Sequence, residues 1–128
     1  MRKEVKNENA DILSEKDVTI LVNAFYGKVR QDELLAGVFN PIIKDNWDFH
    51  LKRMVDFWST ILLYTKKYKD DPMPKHLPLA IGKEHFERWL ELFNETIDEL
   101  FAGEIADNAR KRANNIARVM KAIKEIPE

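Results

Sequence analysis

Three histidines, at positions 50, 76 and 85, have the widest chemical reach of any residues in this 128-residue chain. Imidazole titrates near neutral pH and is the commonest protein ligand to a metal. His76 stands in Asp71-Pro-Met-Pro-Lys-His-Leu-Pro-Leu79, between Pro72, Pro74 and Pro78. Proline fixes φ, lacks an amide donor and drives its predecessor out of the α region, so no regular helix runs through this stretch. Met73, Leu77, Leu79 and Ile81 make it apolar as well as stiff. Two readings of His76 follow: a ligand presented to something buried, or an ordinary surface histidine in a loop. His50 lies on an apolar helical stripe, where it is either a core histidine satisfied by a carbonyl or a second ligand. His85 falls beside a stripe, where solvent exposure is a sufficient explanation. The chain has no cysteine, which removes disulfides, thiolate metal sites and thiol nucleophiles. No phosphate-cradling glycine loop, paired-carboxylate motif, HExxH spacing or nucleophile elbow is present.

Helices must carry these residues. Ser14-Glu-Lys-Asp17 is a capping-box variant that opens a helix with the stripe Val18, Leu21, Val22, Phe25 and Val29. Tyr26 sits at the edge of that stripe. Gly27 follows it at a cost of about 1 kcal/mol against alanine, a place for another helix to cross closely. Leu34, Leu35, Val38 and Phe39 form a short second cluster ended by Asn40-Pro41. Asp45 is the expected cap of a helix running to about Tyr64, with the stripe Trp47, His50, Leu51, Met54, Phe57, Trp58, Ile61 and Leu62. A loop over about residues 65–82 contains His76; loops this long without structure of their own are commonly either functional or disordered. A helix after Gly82 presents Phe86, Trp89, Leu90, Phe93, Ile97, Leu100 and Phe101 and closes at Ala102-Gly103. The last, over about 104–125, pairs a stripe of Ile105, Ala109, Ala113, Ile116, Met120 and Ile123 with a basic face.

The bulk properties narrow the class. Twenty-one basic and 22 acidic side chains leave a net charge of −1, which argues against a polyanion binder. We therefore expect no nucleic-acid partner, and the basic face of the last helix reads as solvated. The charged first ten residues are neither signal peptide nor anchor, and no apolar run reaches the roughly 20 residues that span a bilayer. The expectation is a cytoplasmic protein with no membrane partner, made of a flexible extension over 1–13 and a single all-α domain over 14–128. The large aromatics on three stripes could line a pocket for a flat apolar cofactor or could simply be core.

The residues themselves resemble the group III truncated haemoglobins of bacteria over about 17–123. The carriers are Ala24-Phe-Tyr-Gly-Lys-Val-Arg30, Val38-Phe-Asn-Pro41, His50 with Phe57-Trp58 and Leu62-Leu63, then Tyr68, Pro72-Met73 and His76. They continue with His85-Phe86, Arg88-Trp-Leu-Glu-Leu-Phe93, Asp98-Glu-Leu-Phe-Ala-Gly103 and Arg112-Ala113 with Ile116-Ala117. Glycines common in the family after the double leucine and before Pro72 are replaced by Tyr64-Thr-Lys-Lys and Lys69-Asp-Asp71.

This resemblance implies a truncated globin, a two-over-two helical sandwich around a b-type haem. It implies His76 as the proximal iron ligand. Tyr26, His50 and Trp89 match the distal positions, where a phenol O–H, an imidazole N–H and an indole N–H can donate to a ligand acquiring negative charge. Phe39, Met54, Phe57, Trp58, Phe86 and Phe93 would wall the ring, and Arg53 or Lys75 would pair with the propionates. The implied ligands are dioxygen and nitric oxide. Strong donors suit redox chemistry, such as nitric oxide dioxygenation with a reductase or peroxidase-like reduction, better than oxygen delivery. The alternatives are a gas sensor or ligand-binding module without turnover, and a haem-free helical interaction domain. A monomer is expected.

Overall fold

Ser14 starts the first helix as its spacing predicts, and the reason is visible at both ends of the box. Its Oγ accepts from the Asp17 amide at 3.3 Å, and the Asp17 carboxylate accepts from the Leu13 amide at 2.9 Å. The computed structural model describes residues 9–64 and 82–123, and its regular elements there are all helical. They are α1 (Glu15–Gln31), α2 (Glu33–Ile43), α3 (Trp47–Leu63), α4 (Lys83–Leu100) and α5 (Glu104–Ile123). Helix α1 packs on α3 and α4, and α4 packs on α5, the two-over-two arrangement that the resemblance implies. No helix among the described residues is long and apolar enough to cross a membrane.

The predicted stripes form the core. Val18, Leu21, Val22, Phe25 and Val29 of α1 are all buried, as are Trp58 and Leu62 of α3, Phe93 and Ile97 of α4 and Ala109 and Ala113 of α5. Burial of aliphatic and aromatic side chains at about 25 cal/mol per Å² is what holds helices with so many charged outer faces together. Asp32 fastens the α1–α2 corner. Its carboxylate caps α2 by accepting from the Leu35 amide and accepts from Nε of Arg88 on α4 at 2.6 Å.

Four local expectations are revised. Helix α2 does not stop at Asn40-Pro41 but runs through Pro41 to Ile43. Proline there deletes one amide donor near the helix end, and the Lys44 amide still closes the last turn on the Asn40 carbonyl. Asp45 is not the cap of α3; Asn46 holds that position and makes no side-chain capping bond. Gly27 admits no close helix crossing, since an added Cβ would find nothing within 4 Å. Asn9 to Leu13, expected in the extension, are built into the fold. Ile12 is fully buried, and Ala102 donates its amide to the Ala10 carbonyl.

Asp11 explains why this short arm is held. One carboxylate oxygen accepts from the Ala106 amide at 2.8 Å and from the Ile12 amide, and the other accepts from Ile105 at 2.9 Å. It thus satisfies the open first turn of α5, where Gly103 in the N-cap region has no side chain to do so. Gly103 has φ +141°, and a Cβ there would lie 2.5 Å from Cγ of Asp11.

Candidate functional site

Tyr26 is drawn inside the fold rather than left at a helix edge. It is 4 % exposed, and its phenol oxygen accepts a hydrogen bond from the side chain of Trp89 on α4. Indole has only an N–H to offer, so Trp89 is the donor. Burial pushes the Tyr26 phenol far above its ordinary range, and donation from Trp89 offsets only part of that. The imidazole of His50, on α3, meets the Tyr26 ring edge-on at 5.2 Å between centroids, with 88° between planes. Three helices therefore bring together the phenol, imidazole and indole expected from the sequence.

An aromatic stack holds the indole in place. Trp89 lies parallel to Phe93 at 5.9 Å, and Phe93 lies parallel to Trp58 at 5.0 Å. Phe25 closes the stack edge-on, 5.6 Å from Trp89 and 5.2 Å from Phe93. Such offset and edge-to-face geometries are the favoured ones for rings carrying a quadrupole. Trp58 and Phe93, expected as walls of a pocket, are here the support behind Trp89.

Trp89 also lines a small cleft of about 40 Å³. Leu35 and Phe39 of α2, Phe86 and Trp89 of α4, and Ile116, Ala117 and Met120 of α5 line it, with His85 as the one polar member. His85 is not simply exposed. Its Nδ1 accepts from the Gly82 amide at 2.9 Å, the returning half of a capping box at the start of α4. This bond requires an unprotonated Nδ1 and leaves the proton of the neutral ring on Nε2. Met54 is buried in the core and Phe57 is half-buried, edge-on to Trp58 at 5.5 Å. Arg53 lies with its guanidinium 5.8 Å from the Phe49 ring centroid. His76, Lys75 and Tyr68 lie outside the described residues.

Two participants escaped the sequence reading. His85 could have been noticed at the third helical position after Gly82, although capping boxes ordinarily use Glu or Gln there. Trp47 was visible one turn before His50, but nothing in its spacing reveals that it touches both His50 and Tyr26.

The bacterial-like globin family profile matches residues 11–124. The chain belongs to the bacterial-like globins. It is 32 % identical over 111 residues to a group 3 truncated haemoglobin of Campylobacter jejuni, an alignment covering 84 % of this globin and 87 % of its relative. The crystal structure of the group III truncated haemoglobin from Campylobacter jejuni superposes with a TM-score of 0.80 at 30 % identity, covering 96 % of this chain and 94 % of the other. The truncated oxygen-avid haemoglobin from Bacillus subtilis gives 0.69 at 26 % identity, covering 84 % and 92 %. Haem is the cofactor of these globins, and a diatomic gas is the ligand of its iron. The residues of this globin fit that group: the cleft is apolar apart from His85, as a porphyrin face requires, and Trp89 belongs both to its wall and to the donor cluster.

Proposed function

We propose that this globin binds dioxygen and nitric oxide on haem held by His76, and uses them in redox chemistry rather than in delivery. The reactions in view are nitric oxide dioxygenation to nitrate and peroxidase-like reduction, with an electron-donating reductase as partner. The reading treats the chain as one globin domain working as a cytoplasmic monomer. Haem, when bound, supplies an iron centre that takes a diatomic ligand and exchanges electrons.

The observation that carries the proposal is the hydrogen bond from Trp89 to Tyr26, beside His50. The indole N–H occupies a lone pair of the phenol oxygen, so the phenol's own proton is left to point elsewhere. Burial keeps that proton in place across the physiological range. Tyr26 is therefore a preformed donor in a dry setting, where a hydrogen bond to a group gaining negative charge is stronger than in water. His50, packed against the same ring, can add a second donor. Stronger donors hold the ligand longer, and a slowly released ligand favours reaction over transport. Phe39, Phe86 and Trp89 give the cleft an apolar wall, and Arg53 is the candidate partner of the propionates.

The purified protein, reconstituted with haem, should show a Soret band that persists through gel filtration; its absence would remove the globin function altogether. With a reductase and NADH, it should consume nitric oxide over many turnovers. Stoichiometric binding without turnover would instead assign it to the sensors.

A further inference from the structure

The indole of Trp47 opens α3 and is only 5 % exposed. Its ring meets His50 edge-on at 5.6 Å, with 87° between planes, and lies tilted against Tyr26 at 6.1 Å. The Tyr26–His50 contact closes this triangle of rings at 5.2 Å. Outside, the guanidinium of Arg30 sits 4.7 Å from the Trp47 centroid, well within cation–π range. Arg30 and Trp47 line an open depression together with Gly27, Gln31, Asn40 and Lys44. Trp47 is thus a wall one side chain thick, with Arg30 against one side and the distal pair against the other.

We infer that Trp47, clamped by Arg30, is the positioning residue that fixes the His50 imidazole against Tyr26, so that both present their protons to one ligand. The inference rests on the reading of Tyr26 and His50 as ligand donors. Each ring packed against an imidazole narrows its two torsions, and the Tyr26 ring by itself would leave room to turn on the Trp47 side. A second ring at right angles to it, itself pinned from outside, removes that room. The Arg30 side chain acts through Trp47, since α1 carries it on the solvent side of the indole.

The carbon monoxide derivative of the haem-loaded protein tests this, because the C–O stretching band reports donors near the ligand. Wild type should give a single band. Trp47→Leu should add a second band at higher wavenumber and raise dioxygen dissociation by about threefold to tenfold, the size of one weakened hydrogen bond. Trp47→Phe, which keeps an aromatic edge, should restore the single band. Arg30→Met changes an exposed side chain, cannot plausibly unfold the protein, and should broaden the band toward the Leu pattern. An unchanged single band in both Trp47→Leu and Arg30→Met overturns the inference. Tyr26→Phe and His50→Leu separate the two levels. If these shift the band and the Trp47 and Arg30 variants do not, positioning fails and the donor reading stands. If neither pair shifts it, both are overturned.

Discussion

The side chain of Trp89 donates to the phenol oxygen of Tyr26, joining helix α4 to helix α1 inside the protein. The bond orients the hydroxyl as well as holding it. Removing the hydroxyl in Tyr26→Phe leaves the ring packing against Phe25 and His50 intact but takes away a donor. A hydrogen bond to a charged group is worth about 1.5–3 kcal/mol, so dioxygen dissociation should accelerate by roughly tenfold to a hundredfold. Stopped-flow displacement of dioxygen by carbon monoxide measures this. An unaltered rate would mean that the hydroxyl does not reach the ligand.

His76→Gly should abolish stable haem retention, and added imidazole should restore it by occupying the space left behind. Soret absorbance after desalting, with and without imidazole, reports the outcome. Retention at wild-type level without imidazole would move the iron ligand to another residue.

Gly103→Ala should destabilise the fold by about 2 kcal/mol, roughly 6–12 °C in Tm for a domain of this size. The backbone there has φ +141°, and the new methyl group would meet the Asp11 carboxylate that caps α5. Asp11→Ala removes the cap without the backbone strain and should cost about 1–2 kcal/mol. Differential scanning calorimetry on the two variants separates the contributions; equal losses would assign the whole effect to the cap.

Stability should fall in acid through two carboxylates. Desolvation opposes ionisation of both Asp32 and Asp11, but hydrogen bonds outweigh it: from Arg88 and the Leu35 amide to Asp32, and from the Ile105, Ile12 and Ala106 amides to Asp11. Both therefore titrate below the ordinary aspartate range. A depressed folded-state pKa contributes stability that is present above the unfolded value, about 3.9, and is lost as pH falls through the folded one. Tm should hold steady near neutral pH and drop below about pH 4. Asp32→Asn should lower the neutral-pH Tm and flatten the acid limb; a parallel acid limb would exclude Asp32 as a contributor.

The contrast between what the sequence could and could not reveal follows from interaction range. Stripes repeat at helical spacing, so Phe25, Trp58, Phe93 and the place of His50 on α3 are legible in the chain itself. Tyr26 was legible only through resemblance, because periodicity put it at a helix edge and its burial depends on α3 and α4 packing beside it. Trp47 with Arg30, and Asp11 with the first turn of α5, were illegible for one reason. Each joins residues whose separation in sequence carries no pattern, and only the completed packing brings them together. The misplaced end of α2 has a different cause. Proline near a helix terminus deletes a donor at little cost, so Pro41 marks an approaching end rather than the end itself.

The cap that Asp11 places on α5 also orders events in time. Its partners at Ile105 and Ala106 follow it by 94 and 95 residues, so a chain emerging from the ribosome makes the carboxylate long before the amides it will hold. Contacts of such long sequence separation bear a large loop-closure cost and form late. The arm carrying Asp11 and Ile12 must therefore wait, undocked, until nearly the whole globin has been synthesised. Closing it joins the first described residues of the fold to α5.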